Sequence, residues 1–408
     1  MQRWLKFVKY LPDFGVQPIV YIPENPTYPI IDDKLVEEVS EKAIIIKQKI
    51  FEPYQLASFL SSNKTKKISS GIIPNPKKQS LLDKAFLWIR GNLFIPDARV
   101  YWVKPSVSYL EKYIQDNAID TIVTSGPPHS LHLIGLELKQ KLNLTWFADF
   151  RDPWTTIGYH KELKLSGFAA KKHKKLENKV LNTADTIIVT SKTTKTEFER
   201  LTNKPIAVLT NGYDTEKVAK QTLDSKFTLA HIGSLLSERN PRILWETLSD
   251  LISEDPTFAS HFELKLIGAV SQVVLETITE FKLDHYLNNL GYLSHEAALI
   301  HQRKSQVLLL IEINSDETKS IIPGKLFEYM VSERPIIAIG PEGSDFAEII
   351  SATNTGVFLN YTEKNKLKSV ILDYYALFLN GNLQSHAVGL QQYSRKNLTK
   401  ELALLLKK

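Results

Sequence analysis

The segment Ile321–Met330 is the part of the sequence whose residue types point most directly to chemistry. Pro323 and Gly324 interrupt the apolar pattern and predict the start of a helix, whose unpaired N–H groups favour a phosphate. Lys325 adds a cation in the first turn, and Glu328, on the same side, could accept hydrogen bonds from ribose hydroxyl groups. The alternative is a surface Lys–Glu pair on an ordinary helix.

A second loop that could hold phosphate is His231–Pro241, which follows a predicted strand. Gly233 would let a phosphate approach the backbone closely, and Arg239 could clamp a diphosphate just before a helix start signal at Asn240. The spacing is neither a dinucleotide-binding fingerprint nor a Walker loop, so a plain strand-to-helix turn stays open as the alternative.

Two further loops after predicted strands carry acid–base groups. In Thr124–His132, His129 could donate or shuttle a proton, or it could be a structural histidine. The other loop combines two carboxylates, a guanidinium group and an indole, which suit sugar hydroxyls and ring faces: Asp149, Arg151, Asp152 and Trp154. A self-paired Asp–Arg turn is the alternative. The chain has no Cys and no close-spaced set of metal ligands, so we expect no metal site.

Apolar runs that predict strands alternate with helical segments along most of the chain. Because these runs are apolar throughout, they predict parallel sheets covered by helices on both faces. The predicted strands are Pro18–Ile22, Thr121–Thr124, Thr145–Asp149, Thr186–Thr190, Ile206–Thr210, Phe227–Ile232, Glu263–Ile267, Val307–Ile311, Pro335–Ile339 and Gly356–Phe358.

The strand–helix pattern occurs twice, on either side of a turn cluster at Asn211–Asp214. We therefore predict an α/β fold of two Rossmann-like doubly wound domains, residues 1–212 and 213–385, followed by a terminal helical segment, 386–408. The chain opens on a helix and lacks the usual Gly-rich turn, so we expect the first strand of the amino-terminal domain to be missing from it. A fold that starts on a helix is the alternative.

The composition is typical of globular domains that need neither disulfides nor metals: 408 residues, 43% hydrophobic and 24% charged. A net charge of +6 permits anionic partners and selects none of them. The sequence shows neither a membrane span nor a signal peptide, so we expect a cytoplasmic protein. The basic run Lys171–Lys175 is either a solvated helix face or a peripheral contact with an anionic membrane.

Together, the two predicted domains and the four loops resemble a GT-B glycosyltransferase of the retaining family 4 type, as found in bacterial surface-polysaccharide synthesis. The segment Gly324–Met330, followed by Pro335–Ala338, resembles the donor-site helix and its next strand. Ser125–His129 and Asp149–Trp154 resemble a subgroup of that family.

The resemblance implies a nucleotide-sugar donor in the carboxy-terminal domain and a saccharide or lipid-linked acceptor in the amino-terminal domain, across a cleft. With this chemistry we expect no required metal or other cofactor. The sequence shows no basic-aromatic recognition module, so we expect no nucleic-acid partner. The resemblance assigns the diphosphate to Gly233, Arg239, Gly324 and Lys325, the ribose to Glu328, the base to Tyr292 and Leu293, catalysis to His129 and Asp152, and sugar or acceptor contacts to Asp149, Arg151 and Trp154.

The sequence departs from the family pattern at two positions near the donor. Ser234 stands where the family often has Arg, and Ser320 stands where it has the first of two glutamates. Two competing hypotheses therefore stay open, a nucleotide-sugar epimerase or hydrolase of the same fold and a non-catalytic binding protein.

Overall fold

The computed structural model of the chain describes residues 2–26, 37–51, 81–158, 160, 163–214 and 221–407. Contacts between Cα atoms divide the chain into two compact units. The first comprises Met1–Thr210 and Leu398–Lys408, and the second comprises Asn211–Asn397. This division falls at the turn cluster where the sequence changes from one strand–helix series to the next.

The described residues of the first unit form two parallel sheets. Strands β1 (Ile19–Pro23) and β2 (Ile44–Gln48) pair with each other, and the larger sheet has the order β3-β4-β5-β6. Its strands are β3 (Thr121–Gly126), β4 (Thr145–Phe150), β5 (Thr186–Val189) and β6 (Ile206–Val208). The helices are α1 (Gln2–Tyr10), α2 (Leu81–Leu93), α3 (Val100–Asp116), α4 (Ser130–Lys141), α5 (Gly167–Thr183) and α6 (Lys192–Phe198).

The opening helix is built into this unit by its apolar face. Phe7 is buried among residues of the central strands, Phe147 of β4 and Ile188 of β5. The last helix of the chain adds Leu398 and Leu402 to the same cluster. The 3–4 spacing of apolar residues in both helices puts one stripe against the sheet, which is how an amphipathic helix is stabilised.

The second unit is a six-stranded parallel sheet with the order β12-β11-β10-β7-β8-β9. Its strands are β7 (Phe227–Ile232), β8 (Phe262–Ile267), β9 (Leu287–Gly291), β10 (Val307–Ile311), β11 (Ile336–Ile339) and β12 (Gly356–Leu359). The helices are α7 (Arg242–Glu254), α8 (Pro256–His261), α9 (Gln272–Glu280), α10 (His295–Lys304), α11 (Lys325–Met330), α12 (Asp345–Thr353) and α13 (Lys364–Leu379). The last helix, α14 (Arg395–Leu406), belongs to the first unit from Leu398 onwards.

The chain order of these strands reverses between β7 and β10, which is the arrangement of a doubly wound sheet. Strand β10 shows why its sequence is apolar throughout: Leu309 and Ile311 pack into one core cluster, and Leu308 and Leu310 into the cluster on the opposite face. Both faces are covered, so no position of this strand is exposed. No helix in the described part of the chain is long and apolar enough to cross a bilayer.

Each of the ten predicted strands corresponds to a strand of the structure, and two further strands in the described residues were missed. Strand β9 contains Asn288 and Asn289, residue types that disfavour strands, and it lies at the edge of its sheet. Strand β2 offers only three consecutive isoleucines before Lys47. Local composition was therefore too weak in both to predict the pairing.

Candidate functional site

The reversal of strand order in the second unit places two polar loops side by side. Strands β7 and β10 are neighbours, and their carboxyl ends lead into Gly233 and Glu312. In open α/β sheets this switch point is where ligands bind, because the chain leaves the two strands towards opposite faces and opens a crevice. Arg239 and Lys325, two of the predicted phosphate ligands, both contact residues at this edge.

Arg239 is held by a buried carboxylate. Its Nε donates to Oε1 of Glu312 at 3.1 Å, and a terminal nitrogen donates to Oε2 at 3.2 Å. Glu312 is 1% exposed and also accepts the N–H of Ile313 at 2.8 Å. The two-point pairing fixes the plane of the guanidinium group, and the N–H groups that do not face Glu312 stay available to an anion.

Lys325, the second predicted cation, lies beside a histidine rather than a carboxylate. Its Nζ is 3.2 Å from Nε2 of His231, a residue of β7 that is 1% exposed. Among the described residues, no Asp or Glu forms an ion pair with Lys325. The pKa of Lys325 is lowered to about 7, mainly by burial and in part by the charge of Arg239, whereas Glu312 opposes the shift.

The charges of this cluster do not cancel. Arg239 and Lys325 supply two cations when Lys325 is protonated, and Glu312 supplies one carboxylate. Burial is the main cause of the lowered pKa of Lys325, the charge of Arg239 adds to it, and a further anion at this place would favour the ammonium form. The described residues therefore leave about one positive charge uncompensated at the switch point.

Two glycines shape the backbone under this charge. Gly233 has a φ of +125° and Gly268, after β8, has a φ of +122°, values that L side chains rarely adopt. A Cβ at Gly268 would lie 2.5 Å from the carbonyl oxygen of Gly233, and a Cβ at Gly233 would lie 3.0 Å from Nζ of Lys325. Only glycine lets the two loops and the lysine approach one another this closely.

The other predicted donor residues lie in the same unit. Glu328 is half-buried in α11, three residues after Lys325, whereas Gly324 is exposed and has a helical φ of −57°. Tyr292 is 81% exposed directly after β9, and Leu293 beside it is half-buried. Their assignment to ribose, phosphate and base stays a prediction.

In the first unit, Asp149 ends β4 in a fully buried position. Its Oδ1 accepts from Arg3 at 3.2 Å, and its Oδ2 accepts from the indole of Trp4 and the hydroxyl of Ser125, each at 2.7 Å. The carboxylate thus ties α1 and the end of β3 to β4. Its hydrogen-bonding capacity is used within the protein, so the structure gives it a role in holding the loop together.

His129 belongs to an aromatic stack at the carboxyl ends of β3 and β4. Its ring lies parallel to the indole of Trp154, with centroids 4.7 Å apart and planes 3° apart. Both residues are buried, and neither ring nitrogen of His129 has a hydrogen-bond partner among the described residues. Burial, His132 and other nearby cationic or imidazole groups hold the pKa of His129 well below 6.5, so the ring is neutral.

His132 packs against the same stack from α4. Its ring is 4.3 Å from that of Phe150, and its Nδ1 is 2.9 Å from the hydroxyl of Thr124. A Cβ at Gly126 would lie 2.5 Å from Nε2 of His132 and 3.1 Å from Nδ1 of His129, so only glycine fits between the two rings. Burial lowers the pKa of His132 to about 3, although Asp149 opposes the shift.

Asp152 is the half-buried carboxylate of this loop. Burial raises its pKa and Asp149 adds to the rise, whereas Arg151 opposes it. Arg151 donates to the carbonyl of Pro127 through its guanidinium group and to the carbonyl of Gly126 at 2.9 Å through its backbone N–H. The structure therefore brings His129, Arg151, Asp152 and Trp154 into one loop cluster, as their positions after neighbouring strands predict.

Several residues of these sites carried no role in the sequence argument. His231 lies in the loop His231–Pro241 but was not predicted as a site residue. Glu312 directly follows a buried strand, and a carboxylate at that place is a sequence signal for a site residue. Arg3 and Trp4 had no local signal, because their partner Asp149 is far along the chain. Within the described residues, no three His, Asp or Glu side chains cluster so that they could hold a metal ion.

Comparisons with known proteins agree with this architecture. Residues 72–217 match the family model described as Glycosyltransferase Family 4. Anabaena HepE, solved in complex with UDP and glucose, is similar with a TM-score of 0.61 and 12% identity, covering 100% of this chain and 95% of that one. A comparison with curated protein sequences found no match.

Two further solved structures are similar over most of their length. Sucrose-phosphate synthase from Thermosynechococcus elongatus has a TM-score of 0.54 and 13% identity, covering 98% of this chain and 87% of that one. WaaG, a glycosyltransferase involved in lipopolysaccharide biosynthesis, has a TM-score of 0.53 and 9% identity, covering 99% and 95%. The predicted fold class is thus confirmed: the chain has the α/β fold of GT-B glycosyltransferases, and residues 72–217 match the family 4 model.

Proposed function

We propose that this protein transfers a sugar from a nucleotide-sugar donor to a saccharide or lipid-linked acceptor, with retention of the anomeric configuration, in the synthesis of a cell-surface polysaccharide. The family 4 domain and the fold support the reaction class. The observation that carries the donor assignment is the uncompensated cation formed by Arg239, Lys325 and Glu312 at the switch point of the second unit.

The chemistry that this cation would serve is cleavage of the anomeric C–O bond. As the bond breaks, negative charge builds on the departing diphosphate, and Lys325 and Arg239 would stabilise it. A positioned donor of this kind contributes about 3–4 kcal/mol to the transition state. Two such groups could do what a divalent metal does elsewhere, so we propose that no metal is required. Glu328 would accept hydrogen bonds from the ribose, and Tyr292 and Leu293 would face the base.

The loop cluster of the first unit would serve the transferred sugar and the acceptor. Burial raises the pKa of the half-buried Asp152 above its usual range, which makes its carboxylate a stronger base and a candidate to accept a proton. His129 stays neutral, with two ring nitrogens that lack partners among the described residues, so it could donate to or accept from a sugar hydroxyl. With no carboxylate assigned as nucleophile, we propose attack by the acceptor hydroxyl on the face that the diphosphate leaves. The hydroxyl proton passes to the departing diphosphate as the new C–O bond forms.

The test begins with a thermal-shift screen of UDP-, GDP-, dTDP- and ADP-sugars, because a ligand that binds only the native state raises the Tm. The stabilising donor is then incubated with and without a mixture of saccharide and lipid-linked acceptors, in buffer with and without EDTA. We expect acceptor-dependent release of nucleotide in both buffers and an α-linked product from an α-linked donor, read by NMR.

The other outcomes separate the competing functions. Fast conversion of the donor without acceptor would indicate an epimerase or hydrolase, and binding without conversion in any acceptor mixture would indicate a non-catalytic protein. Loss of activity in EDTA that Mg²⁺ restores would contradict the metal-free mechanism.

A basic stripe on α5 supports peripheral contact with an anionic membrane on the cytoplasmic face. Phe168, Lys171, Lys172, Lys175 and Lys179 are all exposed, and their spacing puts them on one side of the helix. Phe168 is 76% exposed. Lysines with an exposed aromatic ring are the combination that binds anionic headgroups, each cation contributing about 1 kcal/mol.

Cosedimentation with vesicles tests this contact. We expect binding to phosphatidylglycerol vesicles and none to phosphatidylcholine vesicles, with loss in the triple variant Lys171→Glu, Lys172→Glu, Lys175→Glu. The matched control changes three exposed lysines elsewhere in the same unit, Lys42, Lys47 and Lys49, to Glu. Equal loss in both variants would show an effect of net charge alone and no defined docking stripe.

A further inference from the structure

His231 is buried in the second unit with a different partner on each ring nitrogen. Its Nδ1 is 3.1 Å from the carbonyl oxygen of Leu309, and its Nε2 is 3.2 Å from Nζ of Lys325. A carbonyl oxygen can only accept and an ammonium group can only donate. The two partners therefore fix the tautomer, with the proton on Nδ1 and a lone pair on Nε2 that faces the lysine.

The ring keeps this acceptor role because it does not become charged. Burial is the largest cause that holds the pKa of His231 well below 6.5, and the charges of Lys325 and Arg239 add to it. The carbonyls of Leu309 and Ser234 oppose the shift without outweighing burial. Near neutral pH, His231 is thus a neutral acceptor for the protonated Lys325.

A neutral acceptor holds the ammonium group of Lys325 in place without cancelling its charge, which a carboxylate could not do. A carboxylate would hold the ammonium group but cancel its charge, whereas an imidazole holds it and leaves the charge for an anion. Nζ is held above Gly233, since a Cβ there would lie only 3.0 Å from it. Fixing a side chain with four rotatable bonds before binding removes an entropic cost that the ligand would otherwise meet.

We propose that His231 is a positioning residue, whose Nε2 accepts a hydrogen bond from Lys325 and thereby fixes the ammonium group where a diphosphate binds. The inference rests on the proposed function, because it takes Lys325 as a ligand of the donor diphosphate. It adds that the affinity of Lys325 for the diphosphate depends on a neutral histidine that does not itself contact the donor.

Two substitutions separate the two hydrogen bonds of His231. In His231→Asn, the shorter amide can still donate to the carbonyl of Leu309 but cannot reach Lys325. In His231→Gln, the amide oxygen lies near the place of Nε2 and can still accept from Lys325. His231 is 1% exposed, so both substitutions remove ring volume from the interior. Thermal unfolding of both variants controls for this loss.

Calorimetric titration with whichever of UDP-glucose, GDP-mannose, dTDP-glucose or ADP-glucose stabilises the protein most gives the first readout. We expect His231→Asn to weaken binding by about 10- to 100-fold, the worth of one hydrogen bond to a charged group, and His231→Gln to stay within about threefold of the wild type. In a Lys325→Met background, His231→Asn should cause no further loss, because residues that act through one another are non-additive.

A second readout needs no ligand. Acetylation of the Lys325 amine by acetic anhydride, followed by mass spectrometry across a pH series, reports the pH at which that amine loses its proton. We expect a midpoint near 7 in the wild type and in His231→Gln, and a lower midpoint in His231→Asn, since a lost hydrogen bond disfavours the charged form. A merely structural role would lower the Tm and leave this midpoint unchanged.

The outcomes distinguish this inference from the proposed function. If Lys325→Met weakens donor binding while both His231 variants bind like the wild type, the positioning role is overturned and the donor site stands. If Lys325→Met has no effect on any of the four donors, or none of them binds, the donor site fails and the inference fails with it.

Discussion

Glu312 and Arg239 form a two-point ion pair in which the carboxylate is 1% exposed and the guanidinium side chain is 29% exposed. The two partners are therefore not equivalent. Solvent can reach part of Arg239, whereas Glu312 depends on the arginine and on the N–H of Ile313 at 2.8 Å. The carboxylate fixes the position and orientation of the arginine side chain at the edge of the sheet.

Because the two partners differ in exposure, we expect their removal to lower the free energy of unfolding by unequal amounts. Arg239→Met leaves a buried carboxylate without its main donor, which should destabilise the protein by about 1–3 kcal/mol. Glu312→Gln removes the buried charge and keeps an acceptor for Ile313, so the cost should be smaller. Urea unfolding of both variants checks the order, and a larger cost for Glu312→Gln would contradict it.

Lys325→Met should lower kcat/KM for the donor by about 100- to 1000-fold, because the lost cation stabilises charge on the leaving diphosphate. The fold should be unaffected or slightly more stable, since a half-buried ammonium group with a lowered pKa is replaced by an apolar side chain. Initial rates and Tm are measured together. Lys366→Ala, an exposed lysine of α13, is the matched control and should retain full activity.

Donor affinity should depend on pH through Lys325. Its pKa is about 7 in the free protein, and a bound diphosphate raises it, so the complex binds more protons than the free protein. The Kd for a nucleotide-sugar, whose phosphates do not titrate near neutrality, should be flat below pH 7 and rise by up to about tenfold per pH unit above it.

Calorimetry at pH 8 in buffers of different ionisation enthalpy measures this linkage directly as proton uptake on binding. The Lys325→Met variant should show weak binding with no uptake. Equal uptake in that variant would mean that another group titrates.

Gly268→Ala should be strongly destabilising and should abolish donor binding. The added Cβ would meet the carbonyl oxygen of Gly233 at 2.5 Å, and the residue would have to hold a φ of +122°. We expect a loss of at least about 1–3 kcal/mol in the free energy of unfolding. Gly167→Ala, at the start of α5 with nothing within 4 Å of its Cβ, is the control and should be neutral or stabilising.

Asp149→Asn tests whether this residue acts in structure or on the substrate. Breaking its pair with Arg3, in which both side chains are buried, should cost about 3–5 kcal/mol of stability. At a temperature where the variant is folded, KM for the acceptor should match that of the wild type. The control Glu111→Gln breaks an exposed pair with Lys141 and should cost less than about 1 kcal/mol. A stable Asp149→Asn protein with a raised acceptor KM would show direct substrate contact instead.

The sequence by itself determined ten of the twelve strands in the described residues, together with the loops that carry the polar groups. Apolar runs such as Val307–Ile311 are buried on both faces, so their composition alone identifies them as strands. Gly233 follows one of these predicted strands, and Gly126 and His129 follow another. Their places after strand ends could therefore also be predicted from the sequence. Weak edge strands such as β9 were not, because their pairing depends on the neighbouring strand rather than on their own residues.

Only the tertiary structure decided which side chains meet. Arg239 pairs with Glu312 across 73 residues of chain, Lys325 meets His231 across 94, and Arg3 meets Asp149 across 146. These contacts follow from the order of strands in the sheets, which local periodicity does not encode. The pKa of Lys325 follows in turn from burial and from Arg239, so the charge state of the site is a property of the assembled sheet edge.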